Sequence, residues 1–178
     1  MKIELKRKAE DFSQKLDLEE SPEVLELEAE GAAFEKPVRV ELWVNQSQDQ
    51  MVCRGKARTS AKLECSRCLT EYDQNISSDL DFVIDLRENL SAGSKGDGMK
   101  SDQEGYFVAD PSSTFFEIDD LVRDAIILSL PLKPLCSEDC KGLCPICGTD
   151  LNRSRCDCVK EKTDPRWDQL KGLLKKRS

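Results

Sequence analysis

Residues 51–86, MVCRGKARTSAKLECSRCLTEYDQNISSDLDFVIDL, decide the fold. In the first half the odd positions Met51, Cys53, Gly55, Ala57, Thr59, Ala61, Leu63 and Cys65 are small or apolar. The even positions Arg54, Lys56, Arg58, Ser60, Lys62 and Glu64 are polar. A period of two is the mark of a strand buried on one face. After Cys68 the parity reverses: Tyr72, Ile76, Leu80, Phe82, Ile84 and Leu86 are even, while Asp73, Asp79, Asp81 and Asp85 are odd. Two such strands joined at Ser66–Arg67 predict a long hairpin. Because the parity differs, paired residue numbers must sum to an odd value. A sum of 135 sets Lys62 opposite Asp73, Lys56 opposite Asp79 and Arg54 opposite Asp81. Such cross-strand pairs contribute about 0.2–1 kcal/mol each. The basic stripe Arg54, Lys56, Arg58 and Lys62 is therefore read as a neutralised sheet face, not as a nucleic-acid track.

Outward from the hairpin, Val24–Glu28 and Val38–Val44 also alternate and are expected as strands, with a turn region at Gly31–Pro37 between them. Met1–Leu18 is expected to begin as a strand and end as a short helix. The stretch 91–105, SAGSKGDGMKSDQEG, holds four glycines and reads as a mobile loop. Thr114-Phe115-Phe116-Glu117 has the capping-box pattern and predicts a packing helix over about 115–130. Its apolar stripe is Ile118, Leu121, Val122, Ala125 and Leu128, and Pro131 and Pro134 stop it. Asp164 and Pro165 would start a short final helix carrying Trp167, Leu170 and Leu174 on one face. The expected fold class is α+β: an antiparallel sheet domain with one helix over residues 1–130, and a small Cys-rich module with a final helix over 131–178.

The 178 residues carry a net charge of −8, unevenly placed. Residues 1–130 hold 16 Lys and Arg against 28 Asp and Glu, whereas 131–178 hold 11 against 7. The Cys-rich end is thus the basic end. There is no histidine, which excludes a His-based triad, His-ligated metal and imidazole proton transfer. No Gly-rich phosphate loop is found, no apolar run reaches membrane-span length, and no cleavable apolar segment follows Met1. A cytoplasmic protein without membrane association or a small-molecule substrate is expected.

Six of the nine cysteines fall within residues 136–158, CSEDCKGLCPICGTDLNRSRCDC. Two thiolates separated by two residues grip one ion from a tight turn, and Pro145 and Gly148 suit Cys144–Cys147 to that turn. Four sulfurs close a tetrahedral site and leave no position for substrate, as in structural Zn2+ sites. The preferred ligands are Cys144, Cys147, Cys156 and Cys158. Cys136 and Cys140, with Cys65 and Cys68 at the hairpin tip, are the candidates for a second site or for alternate ligands. An iron–sulfur cluster is the competing metal reading, and a disulfide framework fits an odd cysteine count poorly. Cys65 and Cys68 also admit a thiol redox role, although no helix follows them to lower a thiol pKa.

Three blocks together resemble the YceD-like family, whose bacterial and plastid members are associated with accumulation of large-subunit (23S) ribosomal RNA. The first is Leu63-Glu64-Cys65-Ser66-Arg67-Cys68-Leu69, and the second Ile118-Asp119-Asp120-Leu121 through Leu130-Pro131. The third runs from Leu135-Cys136 through Cys144-Pro145-Ile146-Cys147-Gly148 to Cys156-Asp157-Cys158, followed by Asp164-Pro165-Arg166. The first fifty residues match only in pattern. Some relatives share the first cysteine pair without the later cluster. The resemblance implies a non-enzymatic factor in rRNA production or ribosome assembly, and brings no catalytic residue. On this reading a zinc-stapled basic end presents Lys141, Arg153, Arg155, Lys171, Lys175, Lys176 and Arg177 to large-subunit rRNA or to a ribosomal or assembly protein. A protein–protein adaptor using Trp167 is the alternative, beside the redox role of Cys65 and Cys68.

Overall fold

The computed structural model describes residues 1–6, 11–87, 99–100 and 105–158. Among the described residues, strands β1 (Lys2–Glu4), β2 (Phe12–Glu20), β3 (Ala32–Phe34), β4 (Val38–Ser47), β5 (Gln50–Glu64), β6 (Glu71–Asp85), β7 (Met99–Lys100), β8 (Tyr106–Val108) and β9 (Phe115–Glu117) precede one helix, α1 (Asp119–Leu128). The main sheet has the order β2-β4-β5-β6-β8-β7, with β3 paired to β5, and β1 and β9 form a separate ribbon. All pairings are antiparallel except β6 with β8. No described helix is long and apolar enough to cross a membrane.

β5 and β6 pair from Gln50↔Asp85 to Glu64↔Glu71, which sets Arg54 opposite Asp81, Lys56 opposite Asp79 and Lys62 opposite Asp73. Arg54 and Lys56 contact those carboxylates at 3.4 and 3.0 Å. Lys62 instead reaches Glu35 at 2.9 Å, and Arg58 takes Glu41 of β4 at 3.0 Å. The opposite face is apolar: Val40, Leu42, Met51, Cys53, Ile84 and their neighbours are buried beneath Val122 and Ile126 of α1. Gly55 of β5 lies close against β4, since a Cβ there would stand 2.0 Å from the Glu41 carbonyl oxygen. At the far end Asp85 is fully buried, bonded by the Arg87 side chain and by Tyr106, and Arg87 holds its carboxyl below the usual range.

Several boundaries differ from expectation. Phe12–Glu20 is a strand on β4, not a helix: its backbone pairs with the edge of β4, which lets Phe12, Leu16 and Leu18 pack against the core. Val24–Glu28 is not a strand: residues 22–26 form a turn, closed by Leu27 N–H to Pro22 O at 3.0 Å and with a positive φ at Glu26. Its alternation reflects two buried side chains, Leu25 and Leu27, and not a pleat. The Gly31–Pro37 region contains β3. Phe115–Glu117 extends along β1 instead of opening the helix, and Ile118 caps α1 without a side-chain bond. The first turn is met by the amino group of Met1 on Asp119, and Ile118 N–H donates to Met1 O at 3.1 Å. Within α1 the buried residues are Val122 and Ile126, whereas Leu128 is 84% exposed. Met99–Lys100 of the polar stretch pairs with β8. The remainder of that stretch apart from Gly105, and the expected final helix with Trp167, lie outside the described residues.

Candidate metal centre

The hairpin tip and the chain after α1 meet at residues 65–70. Ser66 N–H and its hydroxyl both donate to Pro134 O, at 2.9 and 3.0 Å, so the segment leaving the helix is tied to the turn between β5 and β6. This docking brings Cys136 and Cys140 onto Cys65 and Cys68. The Sγ atoms stand 3.8 Å apart for Cys65–Cys140 and 3.6 Å for Cys68–Cys136. A tetrahedron of metal–sulfur bonds of about 2.3 Å has edges of about 3.8 Å. All four sulfurs lie within 4.8 Å of one another, and the same holds for Cys144, Cys147, Cys156 and Cys158. The later cysteines thus partition into two groups of four with the hairpin pair. Both the preferred set and the second set are brought together, and each can hold a metal ion.

Each group begins on a tight turn. Cys65 N–H donates to Thr70 O at 3.0 Å and Leu69 N–H to Cys65 O at 2.9 Å. Cys144 N–H donates to Thr149 O and Gly148 N–H to Cys144 O, both at 2.9 Å. The residue after the second cysteine has positive φ in both turns, 57° at Leu69 and 72° at Gly148. Hydrogen bonds from backbone N–H groups and from the Thr149 hydroxyl stabilise thiolate in these groups. The Cys65 thiol is lowered to about 6, chiefly by the Cys136 backbone N–H, and Cys147 to about 6, chiefly by Thr149. Their neighbours move the other way. Cys136 rises to about 12 beside Cys140, and Cys158 to about 12 beside Cys147, because adjacent sulfurs cannot all ionise without a cation between them. Cys53 is separate: burial in the sheet core raises it to about 12 and leaves it an inert thiol.

The two groups are joined by a short span. Leu143 N–H donates to Arg67 O at 3.1 Å, and Leu151 N–H to Gly142 O at 3.0 Å. Arg67 Nη1 donates to Cys140 O at 2.8 Å. Asn152 accepts from Lys141 N–H at 2.8 Å and places its amide nitrogen 3.4 Å from Cys140 Sγ. Arg67 and Asn152 fall within the stretches read from the sequence, but neither is given a role at the site there. Arg67 lies between the two cysteines of the first pair, which is a local signal, but nothing in the spacing marks Asn152. Lys141, Arg153 and Arg155 are exposed around this span, with Arg153 paired to Asp150 at 3.5 Å. Lys171, Lys175, Lys176 and Arg177 fall outside the described residues.

Four thiolates per group fit a closed tetrahedral ion with no coordination position left over. The ions would be held for shape, and the backbone turns supply the orientation. The family model described as "Large ribosomal RNA subunit accumulation protein YceD" matches residues 53–174, a span that includes both cysteine groups. The chain belongs to the YceD family. Curated proteins similar to it include the chloroplastic large ribosomal RNA subunit accumulation protein YCED homolog 1 of Arabidopsis thaliana. That protein is 27% identical over 156 residues, covering 77% of this chain and 48% of the relative. The Zea mays homologue is 28% identical over 172 residues, covering 84% and 57%. An uncharacterised protein of Mycobacterium tuberculosis is 27% identical over 145 residues, covering 82% and 64%. The chain therefore spans between about half and two thirds of the length of these relatives. No solved structure matches it.

Proposed function

We propose that the chain is a non-enzymatic cytoplasmic factor in the accumulation of large-subunit rRNA, acting in ribosome assembly, with Zn2+ in both four-cysteine groups. The zinc ions fold the basic end and perform no reaction. What carries the reading is the pairing of two closed four-sulfur sets with a family named for rRNA accumulation. Sulfur separations of 3.6 and 3.8 Å support an ion of zinc's size and geometry, and the all-thiolate donor set favours a soft metal. Cys65 and Cys68 face Cys140 and Cys136, which favours ligation over a free redox pair.

In this reading Lys141, Arg153 and Arg155, with Lys171, Lys175, Lys176 and Arg177, supply phosphate contacts. Each such contact releases counterions, so binding weakens as salt rises. Elemental analysis of reduced protein is expected to return two zinc per chain. Retention of large-subunit rRNA by the purified chain is expected to fall between 50 and 200 mM salt. Replacing Lys141, Arg153 and Arg155 together by alanine should reduce both the affinity and its salt slope. Retention that survives those three substitutions with an unchanged slope would overturn the assignment of the basic end.

A further inference from the structure

A groove of about 670 Å³ runs between the turn at 22–26, the β1–β9 ribbon and α1. It lies far from the two four-cysteine groups. Its floor includes Phe107, which pairs with Ile84 near the open end of the hairpin, whereas the cysteines stand at the tip beyond Glu71. Thirteen residues of strand separate the two places, about 40 Å at about 3.3 Å per residue. Leu25, Phe107 and Phe116 are buried in the floor, while Phe115 is 51% and Val24 58% exposed at its edge. The walls are acidic. Glu26, Asp120 and Asp124 share one cation, Arg123, at 3.9, 2.8 and 3.6 Å. Glu117 is matched by Lys2.

We propose that this groove docks an extended Lys/Arg-rich protein segment that anchors one apolar side chain against Phe115 and Val24. Among the described residues, three carboxylates around a single guanidinium leave surplus negative charge beside an exposed aromatic edge. That combination complements a cationic chain with an apolar anchor and repels a nucleic-acid strand. A basic partner segment displaces Arg123 from part of its carboxylate set and covers the ring of Phe115. The inference goes beyond the zinc and RNA reading and does not depend on it.

The test uses the full metal-loaded chain, free of RNA, and a short fluorescein-labelled peptide of lysines and arginines around one central leucine. Anisotropy should report saturable binding that weakens as salt is raised through the range where the Debye length falls from about 10 to about 3 Å. The double reversal Glu26→Lys with Asp124→Lys should weaken binding about tenfold or more, since like charges at a contact oppose association. Phe115→Ser should weaken it about threefold or more and remove the preference for leucine over serine in the peptide. Both changes are at exposed positions, and an unchanged melting temperature verifies folding. Equal binding by wild type and both variants would overturn the proposal. So would equal binding of a glutamate-rich peptide or a single-stranded RNA in this groove, or a marked rise in affinity when residues 160–178 are deleted, which would assign the groove to the chain's own basic tail. Alanine at Lys141, Arg153 and Arg155 should leave peptide binding unchanged, so failure here and failure of the RNA reading are separable.

Discussion

Residues 65–70 and 144–149 form the same backbone turn in unlike surroundings. Both run Cys-x-x-Cys-x-Thr, both close with the same two hydrogen bonds, and both need positive φ at the fifth residue. The first turn grows out of β5 and β6, and Cys65, Cys68 and Cys140 are buried. Its ligands come from positions 68 to 75 residues apart, so an ion there would tie the sheet to the segment leaving α1. The second turn gathers ligands from positions 144–158 alone, and Cys147 is exposed. One turn can thus serve two purposes: a long-range staple for the fold, or a local clasp for a few residues. Which it serves depends on what the strands beside it are attached to.

The largest expected difference comes from removing one ligand at each place. Cys140→Ser should lower global stability by about 4 kcal/mol or more, as loss of a metal that closes a long loop does. Cys147→Ser should release one metal and leave sheet unfolding within about 1 kcal/mol of wild type, because its loop is short and its surroundings exposed. Urea unfolding followed by circular dichroism, with metal analysis of each variant, reads both. Equal losses would erase the distinction between staple and clasp.

The link between the groups gives a smaller effect. Gly142 has φ of 73°, and a Cβ there would lie 2.9 Å from Arg67 O, a backbone atom that cannot step aside without breaking the bond from Leu143. Gly142→Ala is expected to cost about 2–3 kcal/mol from strain and overpacking together. It should also uncouple the two groups, so that release of one metal to a chelator no longer changes the release rate of the other. Release that is already independent in the wild type would show that the two groups are not mechanically joined.

The smallest effects test the shared turn itself. Leu69 adopts φ of 57° without being glycine, so Leu69→Gly should gain or lose no more than about 1 kcal/mol, as relief of left-handed strain offsets the added freedom of the unfolded chain. Gly148→Ala meets no atom within 4 Å and should cost only the conformational penalty, about 1 kcal/mol. Thermal melts of the metal-loaded variants measure both. A much larger loss at Gly148 than at Gly142 would reverse the ranking.

Much of the hairpin was legible before any coordinates. The parity switch around Cys68 and the facing charges at positions 54, 56, 79 and 81 admit few registers, and the observed one satisfies them. Weaker signals misled. Leu25 and Leu27 imitate a strand because two buried residues in a turn can also be two apart. The strand at Phe12–Glu20 shows little alternation because it is an edge whose apolar residues are only half covered. Phe115 and Phe116 carry a helix-start pattern, yet the pairing of Ile3 with Phe116 extends them as a strand. The groove with its surplus carboxylates had no sequence signature, since Glu26, Asp120 and Asp124 meet only after folding.

Local chemistry alone determined that this chain would build a half-buried hairpin and could seat soft ions on thiolates, because pleat period and Cys-x-x-Cys turns involve neighbours a few residues apart. Tertiary structure alone decided which thiolates belong together. Spacing left Cys136 and Cys140 free to pair with either neighbour. The choice was made when α1 packed on β5 and β6 and carried Pro134 back to the hairpin tip.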